Sequence, residues 1–359
     1  MEHTNGWRSH SITIKKSIAV LASAILCFIG ILPGYAQQRG DLRIMFYNTE
    51  NLFDTENDPN TLDDDFTPEG KMHWTEARYR QKLNNIYKVI AAVGEQESPE
   101  IIGLAEVENK KVLVDLTFLT PLSRFNYDIV HFESPDPRGI DVALLYRKDK
   151  LKVLKKSPIP VIFEKIPTHS TRDILYVQLL TGTNDTLNLF VNHWPSRIHG
   201  ENETEYLRKQ TALILRENVD LLFSANASAK IIIMGDFNDA PSNESISIVL
   251  KAKEIIQNPV SPALYDLSAN LSKTSSIATH QFKGHWEMFD QFIVSGGLLT
   301  ATQRLYTSPN DVHIFTEKFL LKENQRSLTP KLLPTYSGPR YIGGFSDHLP
   351  IYLDLFVKK

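Results

Sequence analysis

The 359-residue chain has one cysteine, Cys27. A single thiol can form neither an internal disulfide nor a zinc-thiolate site, so stability has to come from burial. Basic residues are not in excess. The 39 Lys and Arg face 42 Asp and Glu, a net charge of −3. Proteins that grip polyanions indiscriminately carry a basic surplus, so that behaviour is excluded. The most apolar stretch, residues 17–32, spans 16 residues, short of the roughly 20 that cross a bilayer. There is no P-loop, no dinucleotide fingerprint and no Gly-x-Ser-x-Gly elbow around Ser346, which removes the signals for nucleotide-driven, hydride-transfer and serine chemistry. No repeat, low-complexity tract or linker divides residues 41–359.

What is present begins with a tripartite N-terminus. Lys15-Lys16 precede the apolar stretch and Pro33-Gly34-Tyr35-Ala36 follow it. A basic start, an apolar middle and small residues at 34 and 36 predict an export signal cleaved after Ala36. The alternatives are an uncleaved anchor and lipidation of Cys27, and Ala24-Ile25-Leu26 puts no small residue immediately before that cysteine. Residues 1–36 hold Arg8, Lys15 and Lys16 against Glu2, so their removal takes the net charge from −3 to −5. The expectation is a signal peptide over 1–36 and one catalytic domain over 37–359. The mature protein is expected to be a monomer, exported to a periplasm or the cell exterior, with no stable membrane span.

Along that domain, short apolar runs stop on polar residues. Leu42–Tyr47 ends at Asn48 and Glu50, Ile101–Ala105 at Glu106, Leu187–Val191 at Asn192 and His193, and Ile231–Gly235 at Asp236 and Asn238. Asp290 and Ser346-Asp347-His348 stand at the start of two more runs. Short apolar runs with abrupt ends read as buried strands. Further strands are expected at Tyr127–His131, Asp141–Tyr146 and Leu175–Leu180. Two helices are legible. In the first, Thr75 is placed to cap, Tyr79, Leu83, Ile86, Ile90 and Val93 form the apolar face, and Gly94 suits the stop. The second runs from about Glu203 to Ser224, with Leu207, Leu213, Leu215, Val219 and Leu222 among its apolar positions. Many strands and few long helices predict two packed sheets with helices outside. Loops at 57–74 and 306–345 are expected to border the site.

If the strand ends meet at one rim, they gather carboxylates, carboxamides and imidazoles, the donor set of a divalent-metal hydrolase. Glu106 reads as a ligand, but Glu108, two residues on, would face the same way on a regular strand, and spacing does not choose between them. Gly235 would allow a tight strand exit, after which Asp236 and Asn238 aim to one side; an Asx-turn is the bland alternative. Asp347 can bind metal while His348 moves a proton, with Asp290 as the carboxylate that orients it. His193 offers a second imidazole. His73, His131, His169, His199, His280, His285 and His313 show no ligand spacing and read as structural or solvated.

The ordered set Tyr47-Asn48-Thr49-Glu50-Asn51, Leu104-Ala105-Glu106-Val107, Asn192-His193-Trp194, Gly235-Asp236-Phe237-Asn238, Asp290 and Ser346-Asp347-His348 resembles the endonuclease/exonuclease/phosphatase superfamily of deoxyribonuclease I-like metal phosphoesterases, in its secreted bacterial branch. The resemblance spans about residues 41–359. It implies a four-layered α/β/β/α sandwich of two mostly antiparallel sheets. It also implies Mg²⁺ as the cofactor, with Mn²⁺ or Ca²⁺ as alternatives. Glu106 would be the principal metal ligand, with Asn48, Asp347 and Glu50 nearby. Asp236 and Asn238 would hold water and phosphate. His348, oriented by Asp290, and His193 would serve as acid/base or phosphate-stabilising residues. Pancreatic deoxyribonuclease has an arginine two residues after its metal glutamate. Here Glu108 stands there and would repel a duplex backbone, so Arg138, Arg197 and Arg340 become the candidate substrate-binding cations. The implied activity is metal-dependent phosphodiester hydrolysis, most simply of nucleic acid. Lipid, inositol-phosphate or nucleotide substrates, and a non-catalytic binding module, are the alternatives.

Overall fold

Strands form where the apolar runs predict them, and two bulges, absent from that reading, decide where the polar ends point. The structure, a computed structural model, describes residues 39–255, 258–282, 284–300, 303–323 and 329–358. The signal-peptide expectation for residues 1–36, and Cys27 with it, lies outside the described residues. Arg39–Lys359 form one compact unit. Among the described residues, no helix is long and apolar enough to cross a membrane.

In chain order the elements are β1 (Leu42–Leu52), α1 (Glu76–Gly94), β2 (Ile101–Val107), α2 (Lys110–Phe118), β3 (Tyr127–His131), β4 (Asp141–Arg147), β5 (Leu151–Ile159), β6 (Ile174–Thr181), β7 (Thr186–His193), α3 (Glu201–Ala225) and β8 (Lys230–Asp236). The second half is more broken: β9 (Ala252–Lys253), β10 (Leu264–Asp266), α4 (Ser268–Thr274), β11 (His280–Phe282), β12 (His285–Glu287), β13 (Asp290–Ser295), β14 (Leu305–Tyr306) and β15 (Val312–Ile314). Two short hairpins, β16–β17 (Leu321–Lys322, Lys331–Leu332) and β18–β19 (Tyr336–Ser337, Arg340–Tyr341), precede β20 (Ile351–Val357).

One sheet runs β14-β20-β1-β2-β4-β3, with β15 also on β20; the other runs β5-β6-β7-β8-β13-β10-β9. Among the described residues, only β1/β2, β7/β8 and β9/β10 pair in parallel. Each central strand is apolar on both faces because each face meets another layer. Ile44, Phe46, Leu189, Val191, Ile232 and Phe292 fill the space between the sheets. The alternate residues Met45, Ile102 and Leu104 pack under Leu83, Ile86 and Ile90 of α1. Ile231 and Ile233 do the same under Leu215 and Val219 of α3. The result is the expected four-layered sandwich.

Several local expectations need correction. Thr75 occupies the N-cap position but its side chain makes no capping bond. Gly94 is the last helical residue, yet the left-handed residue is Glu95 (φ 62°); a side chain at 94 would press on Pro99. Leu213 faces solvent, 42% exposed, off the buried stripe of α3. Gly235 lies within β8 opposite Asn192. A Cβ there would fall 2.4 Å from the Asn192 carbonyl oxygen, so close strand approach, not a turn, requires glycine.

Candidate active site

β1 does not stop at Asn48. Its register slips between Asn48 and Leu52, with Glu50 (φ 53°) and Asn51 (φ 57°) in the left-handed region. β2 slips between Ala105 and Val107, with Glu106 at φ 58°. Non-glycine residues there are strained and need support from their surroundings. The bulges re-aim side chains. Glu106 and Glu108 therefore do not point the same way. Glu106 Oε2 accepts the Asn51 N–H at 3.0 Å. Glu108 accepts the Asp54 N–H at 2.6 Å, is buried, and burial pushes its carboxyl up to about 8. Buried and bonded to Asp54, it is not displayed to a substrate, which weakens the expected repulsion of a phosphate backbone.

Asp236, the last residue of β8, is the hub. Its Oδ1 accepts the Asn238 N–H at 2.9 Å, the Asx-turn of the bland reading. Its Oδ2 accepts Asn48 Nδ2–H at 3.0 Å and faces His348 Nε2 at 3.6 Å and His193 Nε2 at 3.7 Å. His193 Nε2 is also 3.7 Å from Glu106 Oε1. These gaps exceed hydrogen-bond range and leave room for a third oxygen between the groups. Asn238 (φ 51°) turns its Nδ2–H to the Trp194 carbonyl at 3.1 Å.

His348 donates from Nδ1 to Asp290 Oδ2 at 2.7 Å. Burial disfavours its charge, but Asp290 and Asp236 outweigh that and hold the imidazole well above its usual pKa. Burial, then Arg172, Arg138 and His348, push His193 well below. The two rings are pushed in opposite directions, a division of labour suited to acid–base chemistry. The Ser346 hydroxyl donates to the Asn48 carbonyl at 2.8 Å and accepts the His348 N–H at 3.0 Å, which ties this turn to β1.

Glu50 Oε2 accepts the Thr335 N–H at 2.6 Å and lies 3.9 Å from Lys82 Nζ. Its carboxyl is pushed up to about 7 by burial and by Asp347, against the pull of Lys82. Glu106 and Asp236 are likewise raised by burial, while Arg138 and His348 offset the neighbouring carboxylates. Asp347 acts on both Glu50 and Glu106. Glu50, Glu106, Asp236 and Asp347 gather here as oxygen donors, and burial is the main obstacle to the charge of the first three. That donor set fits Mg²⁺, Mn²⁺ or Ca²⁺ better than a soft metal. Asp236, Asp290 and His348 also bring ligand atoms within 4.8 Å of one another, but the His348 Nδ1 of that group is already bonded to Asp290.

The candidate cations divide. Arg138 is close enough to act on Glu106 and His193. Arg197 is not free: it donates to Asn238 O at 2.6 Å and Asp239 Oδ1 at 2.8 Å, and pairs with Glu201 at 2.9 Å. It braces the loop after β8. Arg340 is exposed on the β18–β19 hairpin, adjoining the segment that binds Glu50.

Three residues escaped the sequence reading. His280, expected to be structural or solvated, bridges to His348 through β11. Its ring lies 4.5 Å from that of His348, and its Nδ1 is 3.0 Å from the Asp347 carbonyl. Lys82 is buried under the site and donates to Thr335 Oγ1 and Phe345 O. It lies three residues from Tyr79 and four from Ile86, so a lysine on the apolar stripe of α1 was its visible signal. Arg172 donates to the His193 and Trp194 carbonyls at 3.2 and 2.6 Å, and nothing in its local sequence marks it.

The model of the Endonuclease/Exonuclease/phosphatase family matches residues 43–358. Comparison with curated proteins returns no match. Among solved structures, the chain is similar to a Bacteroides thetaiotaomicron mannosyl-6-phosphatase (TM-score 0.53, 16% identity, 88% of this chain and 99% of that one). It is similar to the human nocturnin catalytic domain with bound sulfate (0.52, 18%, 88% and 94%). It is also similar to D. rerio TDP2 complexed with a single-strand DNA product (0.52, 16%, 88% and 98%). At these identities the likeness is one of fold.

Proposed function

The chain belongs to the endonuclease/exonuclease/phosphatase family, and from that premise we propose that it is an exported, Mg²⁺-dependent phosphodiesterase that cuts nucleic acid. It is a metal-dependent phosphoester hydrolase; export, the ion and the nucleic-acid substrate are the proposal. The observation that carries the chemistry is the convergence of Asn48, His193 and His348 on one carboxylate oxygen of Asp236.

Glu106, Asp347, Glu50 and Asn48 would hold the divalent ion, which when bound supplies positive charge for the phosphate oxygens. The chain's own groups do the rest. Asp236, fixed through one oxygen and raised in basicity by burial, accepts a proton from the attacking water at Oδ2. The new bond forms from that water oxygen to phosphorus as the ester P–O bond opposite breaks. His348, kept protonated by Asp290 and Asp236, gives its Nε2 proton to the departing oxygen. His193, neutral and buried, turns Nε2 toward the same space and can hydrogen-bond a phosphate oxygen. Asn238 and Arg197 keep the loop behind Asp236 in place.

A nucleic-acid substrate is favoured by Glu108 being buried away from the site and by Arg138 standing beside Glu106. Export is supported by the tripartite pattern of residues 1–36. The test is phosphate or fragment release from a panel of DNA, RNA, phospholipid, inositol phosphate and sugar phosphate, with and without EDTA. Preference for an oligonucleotide supports the reading. Exclusive turnover of a lipid or a phosphomonoester overturns the nuclease assignment.

A further inference from the structure

A cavity of about 300 Å³ lies beside the His193 edge of the site, and the chemistry above leaves it unused. Its wall includes Arg138, His169, Ser170, Thr171, Ser196 and His199. Thr171 is 2% exposed and its Oγ1 has no hydrogen-bond partner. A buried hydroxyl left unpaired is costly, and a ligand that reaches it removes the cost. Arg172, also in the wall, is committed: it bonds Asp136 Oδ2 at 2.8 Å and the two carbonyls at the end of β7. Asp136 is thereby neutralised. The Arg138 guanidinium comes only within 3.6 Å of it and stays 45% exposed, a cation standing among hydroxyls and imidazoles between this cavity and Glu106.

We infer that this cavity is a subsite for a second phosphate, carried by the same substrate next to the one hydrolysed. The inference rests on the phosphodiesterase reading and adds that flanking anionic groups are gripped through Arg138 and Thr171. A guanidinium and convergent O–H and N–H donors suit a phosphate better than an apolar group. The neighbouring phosphate of an oligonucleotide and the second phosphate of a small polyol share that chemistry.

Two measurements decide it. In the first, EDTA-treated protein is titrated with inorganic phosphate by calorimetry, so that no metal draws the anion to the acidic nest. Wild type is expected to bind, and Thr171→Val and Arg138→Ala each to weaken binding by about tenfold or more. No binding to wild type, or wild-type affinity in either variant, overturns the subsite. The second compares kcat/KM for matched pairs: a dinucleoside monophosphate with and without a terminal phosphate, and an inositol monophosphate against a bisphosphate. Preference for the added phosphate in one pair, reduced to near unity in Thr171→Val, supports the inference and names the source. Equal rates within every pair overturn it. Failure to cut any nucleotide defeats the nuclease reading alone, because the calorimetry still decides the subsite.

Discussion

His348 donates through Nδ1 to Asp290 Oδ2 at 2.7 Å, and the two residues are 58 positions apart in the chain. The bond fixes the ring so that Nε2 faces Asp236. Asp290→Asn keeps the shape but removes the charge that sustains the imidazolium. The variant should fold and lose about 10²- to 10⁴-fold in kcat with little change in KM. Steady-state kinetics on any phosphoester the wild type hydrolyses checks this; a change under threefold would show that His348 works without its carboxylate.

The crowded carboxylates lead to a second prediction, on metal binding. Glu106 is raised by burial, with Arg138 and His348 set against the nearby Asp347 and Asp236. Glu106→Gln should therefore raise the melting temperature of EDTA-treated protein, because the cost of burying a carboxylate has gone. Millimolar Mg²⁺ or Mn²⁺ should raise the wild-type melting temperature by several degrees, on the order of 2–3 kcal/mol at a hundredfold excess over Kd. That increment should vanish in the variant. An equal increment in both proteins would remove Glu106 from the metal site.

Asp266 provides a pH test away from the site. It is buried, its Oδ1 accepts the Ser268 N–H at 2.8 Å, and its Oδ2 has no partner. Burial pushes its carboxyl up to about 7, against roughly 4 in an unfolded chain. The folded state thus holds a proton that the unfolded state releases between pH 4 and 7, and wild-type stability falls across that window as pH rises. Asp266→Asn cannot titrate. Its stability relative to wild type should climb between pH 4 and 7 by up to about 4 kcal/mol, then level off. Denaturant melts at several pH values measure this, and a pH-independent difference would contradict it.

Arg43 clamps β1 to β20. It meets Asp354 through two 2.8 Å bonds, both residues fully buried. Removing Asp354 leaves the buried guanidinium only the half-exposed Glu95 carboxylate at 2.9 Å, so Asp354→Ala should cost about 3 kcal/mol in unfolding free energy and leave activity per folded molecule intact. A loss below 1 kcal/mol would mean that the pair is solvated in practice.

The sequence was most informative where strands are buried on both faces. The run Ile231–Gly235 marks β8 to within a residue at each end because Ile231, Ile232, Ile233 and Met234 all need apolar neighbours. β5 went unseen: Lys152, Lys155 and Lys156 point to solvent on an edge strand that slips register after Val153, so no apolar run marks it. α2 is nine residues long, too short for its periodicity to stand out. Side-chain direction was the larger loss. Alternation cannot anticipate a bulge, so Glu106 and Glu108 looked equivalent until the left-handed backbone at 106 separated them. His280 meets His348 across 68 positions of chain, and Arg197 is consumed by a loop that folds back on it. Both contacts belong to tertiary structure alone.

The central claim, that Asp236 gathers Asn48 and two imidazoles to drive metal-dependent phosphoester hydrolysis, is tested most directly by turnover of wild type and Asp236→Ala before and after EDTA treatment and Mg²⁺ restoration. The expected result is wild-type activity abolished by EDTA and recovered with Mg²⁺, and a variant that melts cooperatively yet turns over about two orders of magnitude more slowly, or less. Hydrolysis indifferent to EDTA, or wild-type turnover by Asp236→Ala on every phosphoester tried, would contradict it.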